Sequence, residues 1–149
     1  MAIASTYTAT ADSVFSGAGT NLWAGGTITI NGSVTTTNSV LAGASLTGVG
    51  TISSQLAWVG GNFGPGGTLT LTTNSVLTMN GGDYLRIYGA LTNAGTINWV
   101  GGALLIYNAN GSYGYIGSIN NLEGAVFNLE CDQPILCACM GASISITRG

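Results

Sequence analysis

Repetition is the feature that most limits how this chain can fold. All three tryptophans stand two residues before a glycine pair, at Trp23, Trp58 and Trp99, and are therefore 35 and 41 residues apart. Another phrase, TTNSVL, occurs at residues 36–41 and again at 72–77. A period of this size is typical of stacked-repeat architectures, and it divides into two coils of roughly 20 residues each.

Short segments between the glycines alternate strictly between apolar and hydroxyl side chains, as at residues 27–30 and 68–71. This period of two predicts β-strands with one buried face, and no window is typical of a useful amphipathic helix. We therefore predict an all-β solenoid, with a β-sandwich as the alternative. Further strands are expected at residues 76–79, 84–88, 97–100, 104–107, 115–119, 126–129 and 144–147.

The repeats divide the chain into three parts. Residues 17–132 carry the solenoid repeats, residues 1–16 form an N-terminal lead-in or cap, and residues 133–149 form an irregular C-terminal tail or cap. The chain is 46% hydrophobic and only 5% charged, which is the opposite of a disordered composition. It should therefore fold.

Composition also limits the partners and the location. Two arginines and no lysine are too few to neutralise phosphates, so we expect no nucleic acid partner. No run approaches the roughly 20 apolar residues of a membrane helix, so we expect no membrane insertion. The first residues, MAIASTYTATADS, show no evident signal peptide, which fits a cytoplasmic protein, a mature form or a segment of a longer chain.

Two phrases, GALTNAGTINWVGG and GSINNLEGAVFNLECD, resemble the recurring phrases of bacterial β-strand-repeat surface proteins. The passengers of that group are similar to those of autotransporter and filamentous-haemagglutinin adhesins. The resemblance covers roughly residues 17–132. It implies a right-handed parallel β-helix, a secreted or cell-surface location in the parent protein, and a chain that is a fragment of a longer array.

The Trp-x-Gly-Gly phrase has two interpretations, a sugar platform or a structural corner. Ile97 and Trp99 are two residues apart and share a strand face, so the indole should point wherever the core isoleucine points. We therefore predict that the tryptophans are buried and that the glycines form turns.

The segment at residues 84–88 is the best candidate for a ligand-binding surface. Leu85 and Ile87 should face inward, which leaves Tyr84, Arg86 and Tyr88 in an outward row. Tyrosine and arginine side chains stack on sugar faces and donate hydrogen bonds to hydroxyls, although an ordinary solvated strand face has the same pattern. Further tyrosines that extend this surface are Tyr107, Tyr113 and Tyr115.

Catalysis is not expected, because without histidine or lysine there is no histidine-based triad and no Schiff base. A carboxylate pair for glycoside cleavage is the one device that remains. The weak candidates are Glu123, Glu130, Asp132 and Asp83, and scattered solvated carboxylates are the more ordinary interpretation.

All cysteines lie in the last 19 residues. Cys131, Cys137 and Cys139 are only weak candidates for metal ligands, since three thiolates are fewer than the four ligands of a typical structural zinc site. We expect no metal and no cofactor.

The sequence patterns predict a β-solenoid, and the resemblance implies that it is a structural or adhesive segment of an extracellular bacterial surface protein. Its expected partners are further copies of itself, stacked end to end because terminal coils leave unpaired strand edges, and surface glycans. The alternative is a carbohydrate-active β-helix, either a polysaccharide-binding module or a carboxylate-dependent glycosidase. An ice-binding module and a phage-type trimeric fibre remain open as further classes.

Overall fold

The chain folds as a β-solenoid of stacked coils, in which every pairing between the described strands is parallel. A computed structural model describes residues 1–109, 113–140 and 146–147, and these residues contain strands, turns and bends but no helix. Accordingly, no helix that could span a membrane is found among them. The predicted all-β solenoid is confirmed, and the β-sandwich alternative is not, because sandwiches are built from antiparallel sheets.

Each coil contributes a strand to each of three parallel ladders, which we call the first, second and third faces. Strand β5 (Thr27–Leu41) and strand β6 (Ser45–Trp58) each run along all three faces in turn. The first face also contains β2 (Tyr7–Ala9), β7 (Asn62–Phe63), β10 (Leu85–Ile87), β13 (Leu104–Ala109) and β16 (Ile135–Met140). The second contains β3 (Ser13–Phe15), β8 (Thr68–Leu71), β11 (Ala90–Asn93), β14 (Ser118–Asn121) and β17 (Ile146–Thr147). The third contains β1 (Ala2–Ile3), β4 (Asn21–Trp23), β9 (Val76–Asn80), β12 (Thr96–Gly101) and β15 (Val126–Leu129).

The strand register explains the repeat in the sequence. On the third face, Trp23 pairs with Leu41, which pairs with Trp58, so consecutive tryptophans are two coils apart. The same holds from Trp58 to Trp99, with Met79 between them. The predicted division of the repeat into two coils is therefore confirmed. The complete column of stacked residues is Ile3, Trp23, Leu41, Trp58, Met79, Trp99 and Leu129.

The core fills the interior of the coils with aliphatic and aromatic side chains. Trp23 and Trp58 are fully buried and Trp99 is 2% exposed, so the prediction that the tryptophans are buried is confirmed. The alternation seen in the sequence is present in β8, where Leu69 and Leu71 are buried between outward threonines. Removing this apolar surface from water is the main stabilising contribution to the fold.

The glycine pairs form the corner between the third and first faces. The second glycine of each pair has a left-handed backbone, with φ of 73° at Gly26, 77° at Gly61 and 81° at Gly102. A β-carbon at Gly61 would also overlap the carbonyl oxygen of Ala44 in the preceding coil. Glycine is therefore needed here both for its backbone conformation and for the close approach of adjacent coils.

Asparagine and serine side chains satisfy backbone groups inside the other corners. Asn93 is fully buried; its Nδ2 donates to Asn121 Oδ1 at 2.7 Å and to the Val126 carbonyl at 2.9 Å. Its Oδ1 accepts the Gly95 N–H at 3.0 Å. The stacked Asn93 and Asn121 side chains thus supply hydrogen-bond partners to buried backbone groups that the strands leave unpaired.

The solenoid extends beyond both predicted boundaries of the repeat region. Strands β1, β2 and β3 make residues 1–16 a first coil, and β16 pairs with β13 over six residues although its sequence departs from the repeat. Parallel pairing depends on backbone groups, so it tolerates this change of side chains. Of the predicted strand at residues 144–147, residues 144 and 145 lie outside the described residues.

Two predicted strands are shorter than expected. The strand predicted at residues 84–88 comprises only Leu85–Ile87, because a bend at residues 82 and 83 leads into it. The strand predicted at 115–119 begins only at Ser118. Gly114, with φ of 62°, turns the chain before it, and no strand forms over residues 114–117.

Candidate functional site

The outward row Tyr84, Arg86 and Tyr88 is present on the first face as predicted. Leu85 and Ile87 are completely buried, whereas Tyr84 is 40% exposed and Arg86 and Tyr88 are half-buried. Strand β10 lies between β7 and β13, so the row is held in the middle of a sheet and not on a mobile edge.

Arg86 and Tyr84 contact each other directly. The guanidinium carbon of Arg86 lies 5.5 Å from the centre of the Tyr84 ring, a cation–π distance, and its Nη1 donates a long hydrogen bond of 3.5 Å to the Tyr84 carbonyl. No ion pair involves Arg86 within the described residues. Its positive charge is therefore balanced by an aromatic ring and solvent, and it keeps most of its donors for a ligand.

Beyond Arg86 the row continues into four tyrosines in mutual contact, which we call the tyrosine cluster: Tyr88, Tyr107, Tyr113 and Tyr115. Tyr88 and Tyr107 are stacked with ring centres 4.4 Å apart, and Tyr113 and Tyr115 are stacked at 5.5 Å. Tyr88 and Tyr115 join the two pairs at 4.9 Å. The prediction that these tyrosines extend the row is confirmed.

Strand register and one loop bring the tyrosine cluster together. Ile87 pairs with Ile106, which places Tyr88 beside Tyr107 in the next coil. The segment after β13 then folds back, where the Ile116 N–H donates to the Tyr88 carbonyl at 3.0 Å and the Gly117 N–H to the Tyr107 carbonyl at 2.8 Å. Tyr113, at the outer end of the cluster, is 71% exposed. The cluster therefore presents aromatic surface, and also phenol hydroxyls, to solvent.

The environment of Tyr88 raises the pKa of its phenol above the ordinary value. Burial is the main cause, because it disfavours the charged phenolate, and the neighbouring Tyr107 and Tyr115 phenols act in the same direction. The charge of Arg86 opposes this shift. Tyr88 thus remains a neutral hydrogen-bond donor at neutral pH.

The four candidate carboxylates are exposed and do not all meet. Asp83, Glu130 and Asp132 lie at the corner between the third and first faces, with the coil of residues 100–103 between Asp83 and the other two. Glu123 lies at a different corner, in the turn between β14 and β15. The structure thus brings three of the candidates to one corner and separates the fourth from them.

The cysteines do not form a set of three thiolates. Cys131 is half-buried and free, whereas Cys137 is disulfide-bonded. The side chain of Cys139 lies outside the described residues. Among those that are described, no group of three histidine, cysteine or acidic side chains is arranged to hold a metal ion.

One part of the site is not apparent from the sequence. A cleft of about 380 Å³ lies beside Tyr84 at the same corner. We call this the corner cleft; its lining residues are Gly81, Gly82, Asp83, Tyr84, Gly102, Ala103, Gln133, Pro134 and Leu136. The corner from Met79 to Leu85 is one residue longer than the corner from Trp99 to Leu104 in the next coil. This difference in length is the feature of the sequence that could have indicated a cleft.

Comparison with protein-family models, with curated proteins and with solved structures finds no match to this chain. The site is therefore interpreted from its own chemistry.

Proposed function

We propose that this chain is a structural or adhesive segment of an extracellular bacterial surface protein and that its first face binds surface glycans. The observation that carries the proposal is the surface formed by Tyr84, Arg86 and the tyrosine cluster along β10, β13 and the segment before β14. Tyrosine rings stack on the apolar faces of sugars, while tyrosine hydroxyls and the guanidinium donate hydrogen bonds to sugar oxygens. The resemblance of the repeats to bacterial surface proteins supports the location.

Glycan-array binding of the purified chain tests the adhesive role. Tyr88→Ala should lower binding about tenfold or more, because it removes the ring that joins the two stacked pairs. Tyr7→Ala is the matched control, since Tyr7 is on the first face and, among the described residues, its ring contacts Phe15 but no tyrosine. Circular dichroism should show the same β-content in the wild type, Tyr88→Ala and Tyr7→Ala. Equal array binding by the wild type and Tyr88→Ala would contradict the adhesive role of this surface.

The structural role rests on stacking of a second copy at the solenoid ends. Among the described strands, β15 pairs only with β12, so its other edge is open, and Val126 and Leu129 beside it are 44% and 65% exposed. At the opposite end β1 pairs only with β4. Each open edge offers parallel backbone donors and acceptors, so head-to-tail stacking continues the same ladder.

Sedimentation velocity over a range of concentrations tests this stacking. The wild type should form larger species as concentration rises, and Leu129→Glu should abolish them because a charge at an open strand edge opposes pairing. Val49→Glu is the control: Val49 is 67% exposed, similar to Leu129, but lies on the side of the solenoid in β6. A wild type that stays monomeric throughout would exclude self-association of this chain.

A further inference from the structure

We infer that the corner cleft is a binding site for a single neutral sugar residue, with Asp83 accepting hydrogen bonds from two adjacent hydroxyls. The inference rests on the proposed glycan-binding function and specifies where one sugar unit lies and which chemical class it has. The cleft is separate from the tyrosine cluster, from which Arg86 and the rest of β10 divide it.

The corner cleft lies where the corner from Trp99 to Leu104 is one residue shorter than the corners of the coils on either side, Met79 to Leu85 and Leu129 to Ile135. Residues Gly82, Asp83 and Tyr84 are exposed where the longer corner projects outward. The next coil contributes Gly102, where a β-carbon would lie 2.7 Å from the Gly81 carbonyl oxygen, so no side chain can fill the floor. The upper wall consists of Gln133 and Pro134. The volume of the corner cleft, about 380 Å³, lies within the range of small-ligand sites.

The polar groups in the corner cleft are available to a ligand. Neither the Asp83 carboxylate nor the Gln133 amide makes a hydrogen bond or an ion pair with any described residue. An ionised carboxylate accepts two hydrogen bonds side by side, which matches a pair of adjacent hydroxyls, and an amide both donates and accepts. Neutral alcohol groups arranged on a ring are the ligand that this pair fits.

Tyr84 supplies the apolar contact that a sugar ring needs. Its ring is 40% exposed at the edge of the cleft, and Arg86 lies over it at 5.5 Å. With this cation beside it, the tyrosine side chain is restrained without being buried, so less conformational entropy is lost when a ligand stacks on it. The glycines that line the cleft, Gly81, Gly82 and Gly102, have no side chains and allow the ligand to approach the backbone closely.

Charge decides between neutral and acidic sugars. Among the described residues no cationic side chain lines the cleft, whereas Asp83 is in it and Asp132 precedes its wall residue Gln133. The chain as a whole has a net charge of -3. A sugar carboxylate in the cleft would therefore face the Asp83 carboxylate, whereas the Arg86 guanidinium lies on the Tyr84 ring and is not among the lining residues.

The test is a ¹H–¹⁵N NMR titration of the whole chain with methyl galactoside, methyl mannoside and methyl glucoside, and with galacturonate as the acidic counterpart of galactose. At least one neutral glycoside should shift the amides of Gly81, Gly82 and Gly102, with a Kd on the order of 1 mM. Galacturonate should bind more weakly than methyl galactoside. Shifts confined to other residues, or tighter binding of galacturonate, would overturn the inference.

Variants identify the groups responsible. Asp83→Asn and Tyr84→Ala should each weaken binding about tenfold, and Asp83→Asn should also narrow the preference for galactoside over galacturonate. Asp12→Asn and Tyr7→Ala are the controls, because Asp12 is an exposed carboxylate in the first coil and Tyr7 is exposed to the same 40% as Tyr84. Affinities that are equal in Asp83→Asn and the wild type would refute the role of the carboxylate.

The two proposals fail in different ways. If Tyr88→Ala loses array binding while the cleft amides do not respond to any sugar, the adhesive surface stands and the corner cleft is excluded. If the cleft amides respond and Tyr88→Ala binds the array as well as the wild type, the corner cleft is supported as a sugar site and the adhesive role of the tyrosine surface is refuted.

Discussion

Gly43 is a position where contact between coils alone should determine the effect of a substitution. Its φ is not in the left-handed region, but an added β-carbon would overlap the Ala24 carbonyl oxygen of the preceding coil. Since ordinary contacts begin at 3.4 Å, the two backbones must move apart by about 1 Å. Neither atom belongs to a flexible side chain. Overpacking of this kind costs about 2 kcal/mol, so Gly43→Ala should lower the free energy of unfolding by that amount.

Three further alanine variants separate the causes. Gly66→Ala, at φ 72° with no atom within 4 Å, should cost about 1 kcal/mol from backbone strain alone. Gly61→Ala combines the left-handed backbone with overlap and should cost about 3 kcal/mol. Gly19→Ala is the control, because Gly19 has neither a left-handed backbone nor an atom within 4 Å. It also measures the stabilisation that every Gly→Ala change brings by lowering the conformational entropy of the unfolded chain.

Urea unfolding followed by circular dichroism measures all four variants, with the slope of each transition as a check that the same surface is exposed. The expected order of stability is Gly19→Ala, Gly66→Ala, Gly43→Ala and then Gly61→Ala as the least stable. If Gly43→Ala were as stable as Gly19→Ala, the close approach of adjacent coils would be refuted.

Three other side chains have measurable consequences. Asn93→Ala should cost about 2 kcal/mol in urea unfolding because it leaves buried backbone groups without partners, whereas Asn98→Ala, on the outer surface, should cost less than about 0.5 kcal/mol. Trp99→Phe should be about 1 kcal/mol more destabilising than Trp58→Phe, because the Trp99 indole N–H donates a 2.8 Å hydrogen bond, whereas the buried Trp58 N–H has no partner in the described part of the chain. Equal losses of stability would contradict this. A raised pKa in the folded state means that the contribution of Tyr88 to stability is complete below the unfolded pKa and is lost as pH rises through the folded one. Unfolding experiments above pH about 10 should therefore show a steeper loss of stability in the wild type than in Tyr88→Phe, and parallel curves would refute the shift.

Alternation and repetition in the sequence were sufficient to predict the fold and the orientation of the first site residues. Two-residue alternation placed Leu85 and Ile87 inside and Tyr84 and Arg86 outside, because this periodicity is a property of any strand. The shared strand face of Ile97 and Trp99 predicted buried tryptophans for the same reason. These conclusions needed only local geometry.

The contacts between coils could not be predicted with the same certainty, because they depend on coil length. Tyr88 meets Tyr107 only through the pairing of Ile87 with Ile106, and coils of unequal length leave that register undetermined in the sequence. Gln133 lies near Asp83 although no repeat marks its position. Tyr107 and Tyr115 belong to the same coil and no strand pairing relates them, so the alternation of the sequence does not predict their contact.

The alternation of side-chain size along the tryptophan column restricts how a solenoid of this kind can change its length. Leu41 and Met79 separate consecutive indoles in the stack. Deleting a single coil would bring either two indoles or two aliphatic side chains into adjacent layers, about 4.8 Å apart, where the present stack has one of each. Deleting two coils together would restore the original order of neighbours. Viable insertions and deletions should therefore come in pairs of coils, which makes a block of about 40 residues the smallest unit by which such a protein can grow or shrink.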